Sequence, residues 1–135
     1  MFGNFGNPVS AYKSVGVDSS VTTADPHQLI SLLFEGAKAA IATAKGEMAR
    51  GNIPQKGAAI SKAIDIIDNG LNASLNMDVE SDLPEKLNAL YDYMVTRLLY
   101  ANLKNDSAAL DEVAALLGEI HSAWIEIRGQ LDKQP

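Results

Sequence analysis

"NALYDYMVTRLLYANLKND", residues 88–106, decides the fold. An α-helix turns about 100° per residue, which puts Leu87, Leu90, Tyr91, Met94, Leu98 and Ala101 on one stripe. Apolar residues three and four apart are what a core-facing helix needs. A second stripe, Ala89, Tyr93, Thr96, Tyr100 and Leu103, lies well round the cylinder, and only Asp92, Arg97 and Asn102 interrupt the two. One helix therefore carries more apolar surface than a single buried face uses.

Upstream, "TADPHQLISLLFEGAKAAIATAKGEMARG" has a well-signalled start. Asp25 suits the N-cap, Pro26 the first helical position and Gln28 a capping box. Leu29, Leu32, Leu33, Gly36 and Ala40 make an inner stripe, with Ile30, Phe34, Ile41 and Met48 on an adjoining flank. Glu35, Lys38 and Lys45 supply the wet face, and Gly51 ends the helix. The next segment, "IPQKGAAISKAIDIIDNGLNASLN", places Ile60, Ile64, Ile67, Leu71 and Leu75 inward and Lys56, Lys62, Asp65, Asp68 and Asn72 outward. Gly57 and Gly70 each cost a helix about 1 kcal/mol relative to Ala, which argues for close helix contact there. A polar connection leads to Ser81 or Asp82 as the cap of the third helix. A last helix from about 106 to 131 alternates Leu110, Val113, Leu117, Ile120, Trp124, Ile127 and Leu131 as a coiled-coil-like seam.

No segment reads as a strand. Four long helices with short loops predict an all-α, antiparallel up-down four-helix bundle spanning residues 25–132. Residues 1–24 are rich in Gly, Ser, Asn and Thr with scattered apolar residues, which predicts a flexible or loosely docked N-terminal segment.

Composition narrows the function. The chain has 135 residues, enough for one domain with its own core. Eleven Lys and Arg against 17 Asp and Glu give a net charge of −6, which argues against nucleic acid, since phosphate binding needs a concentrated basic face. No stretch approaches the ~20 apolar residues of a membrane span, and the N-terminus has no signal-peptide pattern. With no cysteine, disulfides, thiol chemistry and Cys-based zinc sites are excluded. These features predict a cytosolic protein.

Catalytic chemistry is absent. His27 belongs in the first turn of the first helix, where a solvated role is expected, and His121 lies beside the last helix's seam as a packed or partly exposed neutral group. No Glu stands three residues before either, as a di-iron bundle requires. A phosphotransfer histidine would be exposed with a lysine nearby, but Trp124 occupies that place. No phosphate loop or nucleophile elbow appears. Neither an enzyme nor a metal or cofactor is expected. Trp124, Met48, Met77 and Met94 read as core packing. The surplus apolar arc remains, and it can meet a neighbouring helix, the N-terminal segment or a partner's chain. A generic bundle adaptor that dimerises or binds a folded protein through that stripe is the alternative.

The residues resemble one known family, the flagellar secretion chaperones FliS. A tyrosine preceding a V-x-T-A-x-P-x-x-L-I segment that runs into L-Y-[DE]-G-A is matched by Tyr12, Val21, Thr23, Ala24, Pro26, Leu29, Ile30, Leu33, Phe34, Glu35, Gly36 and Ala37. The quoted helix is similar to L-x-x-L-Y-D-Y-M-x-x-x-L-x-x-A-N at Leu87, Leu90, Tyr91, Asp92, Tyr93, Met94, Leu98, Ala101 and Asn102. Glu112, Val113 and Trp124 complete the order. Two features depart from the pattern: Phe34 stands where the family usually has Tyr, and "NMDVESDLPE" is not Gly-rich.

The resemblance implies a chaperone that binds the disordered C-terminal segment of flagellin, blocks its premature polymerisation and keeps it competent for type III export. The client would fold as it binds. Tyr12, Ile30, Leu33, Phe34, Tyr91, Tyr93 and Tyr100 are the residues expected at the client surface, with Tyr91 facing inward and Tyr93 and Tyr100 on the spare stripe. Tyrosine suits such a surface because it offers large area with few rotamers to freeze. Residues 1–24 are expected to cover part of the groove in the free protein. The implied further partners are the flagellar export gate and an anti-sigma factor, and the chaperone itself a monomer or a domain-swapped homodimer.

Overall fold

Asp25 starts the first helix as the capping box predicts: its carboxylate accepts from the Gln28 amide at 2.8 Å, and the Gln28 side chain accepts from the Asp25 amide at 3.1 Å. The computed structural model describes residues 25–132. Helix α1 spans Pro26–Ala49 and α2 begins as Ile53–Asp65. The latter continues through a wider π turn, Ile66–Leu71, and a 3-10 turn, Asn72–Ser74. Helices α3, Leu83–Lys104, and α4, Ser107–Asp132, complete the fold. No strand occurs among the described residues.

The register of α1 on α4 shows the antiparallel arrangement. His27 meets Trp124, Ser31 and Lys38 meet His121, and Lys45 meets Asp111. Similarly, α3 lies between α4 and α2, reaching Glu112 through Arg97 and Lys56 through Asn102. The bundle predicted from periodicity is therefore the fold.

Each helix buries one face in a common core of Leu, Ile, Phe, Met and Ala. On α1 the buried arc is wide, because this helix packs on both α2 and α4. Leu29, Leu33, Phe34, Ala37, Ala40, Ile41 and Ala44 are all buried, whereas Leu32 and Gly36 of the expected inner stripe are only half-buried. The true centre of the face therefore lies between the two predicted stripes. On α2 the buried face runs through Ala59, Ile60, Ala63, Ile66, Ile67, Gly70 and Leu71, spacings of three and four that carry on through the π turn. Ile66 belongs to this face although the predicted stripe left it out. The Ser74 hydroxyl donates to the Gly70 carbonyl at 2.7 Å within the disturbed turn.

Lys56 departs most from expectation. Predicted on the wet face, it is 3% exposed. Its ammonium donates to the Asn102 carbonyl at 2.9 Å and the Asn105 side-chain oxygen at 2.6 Å. Those groups mark the end of α3, where Asn105 takes the left-handed conformation, φ 51°. The carbonyl end of a helix attracts a cation, and this one is supplied by a neighbouring helix. Gly51, φ 75°, makes the corresponding left-handed turn after α1 at little cost. Of the methionines expected in the core, Met94 is buried, Met48 half-buried and Met77 exposed in the α2–α3 connection.

Candidate functional site

The seam of α4 is buried as far as Leu117 and then comes apart: Ile120 and Trp124 are half-buried and Ile127 is exposed. Facing this stretch is an apolar cavity of about 400 Å³ at the end of the bundle where α1 and α3 begin and α2 and α4 finish. Ile30 and Phe34 come from α1, Leu71, Ser74 and Leu75 from the end of α2, and Leu83, Leu87 and Tyr91 from α3. The α4 wall is Glu119, Ile120, Ala123, Trp124 and Ile127. Glu119 is the only charged side chain in that lining. Burial pushes the Tyr91 hydroxyl well above the usual phenol range, so it stays protonated.

Both histidines stand behind the wall. His27 stacks on Trp124 with ring centroids 4.3 Å apart, and its Nε2–H donates to the Trp124 carbonyl at 2.7 Å. In return the Trp124 indole N–H donates to the His27 carbonyl at 3.0 Å. This reciprocal pair pins α1 to α4, so the solvated role expected for His27 does not hold, whereas Trp124 packs against the core as expected while staying half-buried. His121, 5% exposed, stacks on Phe34 and is hydrogen-bonded by Ser31 and Lys38. Burial, and then the Lys38 charge, holds it below the usual histidine range. The lysine that a phosphotransfer site would want is thus present, contributed by α1, but the imidazole is enclosed. No group of residues among those described could hold a metal ion.

The bundle leaves the spare stripe of α3 largely exposed. Tyr93 is 43% exposed, Tyr100 41% and Leu103 77%, with Leu99 alongside. Their polar atoms are used sideways: the Tyr93 hydroxyl donates to Glu112 of α4, which also accepts from Arg97 at 2.7 Å. Those bonds, Tyr93 first, hold the Glu112 carboxyl below the usual range. Arg97 also lies over the Tyr100 ring, 4.9 Å from its centroid, a cation–π contact.

The structure therefore sorts the residues expected at a partner surface. Ile30, Phe34 and Tyr91 come together on the cavity wall, and Tyr93 and Tyr100 lie apart on the outer face of α3. Leu33 is fully buried and does not line the cavity. Tyr12 and the rest of residues 1–24 lie outside the described residues. Sequence reasoning missed Leu83, Leu87, Ile120 and Ile127 as cavity residues. Leu87, Ile120 and Ile127 were legible only as members of apolar stripes, which read as core.

A bundle with one open apolar mouth, a second exposed apolar stripe and no convergent catalytic groups among the described residues defines a binding protein. Comparison with known proteins names the class. The family model "Flagellar protein FliS" matches residues 8–131. Flagellar secretion chaperone FliS of Salmonella typhimurium is 48% identical over 119 residues, covering 88% of each chain. The Escherichia coli protein of the same name is 47% identical over 116 residues, 86% of this chain and 85% of its own. Flagellar secretion chaperone FliSB of Pseudomonas aeruginosa is 45% identical over 113 residues, 84% of this chain and 89% of its own. The chain belongs to the FliS family of flagellar secretion chaperones. No described helix is long and apolar enough to cross a membrane.

Proposed function

We propose that this chaperone works in the cytosol by binding the C-terminal segment of flagellin, which prevents premature polymerisation and keeps the client competent for flagellar type III export. The observation that carries this reading is the apolar cavity at the end of the bundle. Its lining is almost wholly aliphatic and aromatic, a surface that an amphipathic segment covers by inserting its apolar side chains. Leu83 and Ile127 at its rim stand exposed, so a chain can enter without unfolding the bundle. The outer stripe of α3 offers a second apolar track for a client that wraps round the molecule.

Binding is then coupled to folding of the client, with large apolar burial set against ordering entropy. Nothing in this scheme requires nucleotide hydrolysis. Calorimetry of the full chain with a synthetic peptide of the same organism's flagellin C-terminus tests it. Submicromolar binding with a large negative heat-capacity change is expected, and absence of binding at high micromolar peptide rejects the proposal.

A further inference from the structure

The two aromatic rings on the cavity wall differ in what backs them. Trp124 is pinned to His27, while Phe34 rests on His121 with ring centroids 5.2 Å apart and planes 9° from parallel. Both ring nitrogens of His121 are engaged: Nε2 with the Ser31 hydroxyl at 2.6 Å, Nδ1 with the Lys38 ammonium at 2.9 Å. An ammonium has donors only, so Nδ1 must accept and carries no proton. The ring proton therefore sits on Nε2 and is donated to Ser31. The geometry admits one form of His121, the neutral Nε2–H tautomer.

We infer that His121 makes the cavity's hold on its client acid-sensitive: a proton at Nδ1 breaks the Lys38 bond, drives the ring off Phe34 and slackens the α1–α4 wall. This rests on the reading that the cavity takes the flagellin segment. Protonation replaces an acceptor by a donor and sets two cations within hydrogen-bond distance. From α1, Lys38 opposes protonation and Glu35 favours it, so a charged ring gains by turning toward Glu35 and away from the seam. Across the cavity, Tyr91 of α3 stays neutral, and Glu119 of α4 lines the same space. His27 behaves differently, because its Nε2–H bond to the Trp124 carbonyl survives in either charge state. One histidine is thus a fixed pin and the other a latch that opens with acid.

Calorimetry of the full chain with the flagellin peptide at pH 7.5 and 5.5 tests the inference, with His121→Gln as the comparison. Glutamine offers Lys38 an oxygen and Ser31 an N–H, but does not titrate. Wild-type affinity should fall about tenfold on acidification, the effect of roughly one lost polar contact, and that of His121→Gln by less than about twofold. An equal loss in both proteins overturns the latch. Should no peptide bind even at pH 7.5, the flagellin reading fails and the latch is judged on the free protein. Trp124 is the only tryptophan, so its emission reports the wall directly. A red shift must follow the titration of the His121 ring protons seen by NMR, also if His121→Gln does not fold. A shift that follows His27, or no shift, overturns the inference.

Discussion

The Lys56 ammonium lies 2.6 Å from the side-chain oxygen of Asn105, joining the start of α2 to the left-handed end of α3. The pair is an interhelical C-cap rather than a surface contact, since Lys56 is buried and also serves the Asn102 carbonyl. Lys56→Met keeps the stem and removes the charge, and should lower unfolding stability by about 2 kcal/mol. Asn105→Gly keeps the left-handed backbone and removes the acceptor, so its loss should be smaller. Urea unfolding of both variants and the double mutant checks this, and the two losses should not add.

Client contact can be divided between the two apolar surfaces. Leu83→Asp and Ile127→Asp alter exposed side chains on the cavity rim, whereas Tyr93→Asp and Tyr100→Asp alter the outer stripe of α3. All four should leave helicity intact, because none of these side chains is in the core. If the cavity is the main seat, the rim variants weaken flagellin-peptide binding at least about tenfold, while the tyrosine pair costs less. Circular dichroism and calorimetry together decide it; the reverse order would place the main grip on α3.

Stability should depend on pH through two groups with opposite responses to charge. His121 is held below the usual histidine value of 6.5. In the window just below 6.5 the unfolded chain takes up a proton that the folded chain refuses, so stability falls as the pH falls. Glu112 is depressed by its bonds from Tyr93 and Arg97. Its contribution is present above the usual carboxylate range and disappears as acid protonates it. Chemical unfolding from pH 8 to 2 should therefore show two declines, one just below 6.5 and one below 4.5, and His121→Gln should remove only the upper one.

Gly118 sits inside α4 with nothing within 4 Å of where a β-carbon would stand. Gly118→Ala should therefore stabilise the bundle by about 0.5–1 kcal/mol, through helix propensity alone. Client affinity should be unchanged, since Gly118 does not line the cavity. A thermal melt compared with calorimetry reads both outcomes.

Local chemistry was legible wherever a residue's role depends on its near neighbours along the chain. The capping box at Asp25 and Gln28, the helix-ending turn at Gly51, and the inner stripe Tyr91, Met94, Leu98 and Ala101 are all properties of one helix at a time. So is the spare stripe through Tyr93 and Tyr100, whose exposure follows from a bundle in which each helix turns one face inward. These patterns, with the absence of convergent catalytic residues, specify an all-α protein with apolar surface left over for binding.

Tertiary structure decided what requires two helices at once. Lys56 reads as a surface lysine until α3 brings its terminal carbonyl and Asn105 to it. His121 gains its lysine from α1, and His27 its stacking partner from α4, each more than eighty residues away in sequence. The cavity has the same origin: α4 keeps its apolar repeat past Leu117, but there Ile120 and Trp124 are only half-buried and Ile127 is exposed. Periodicity records which side chains seek burial; only the packed bundle shows which of them are left without a neighbour.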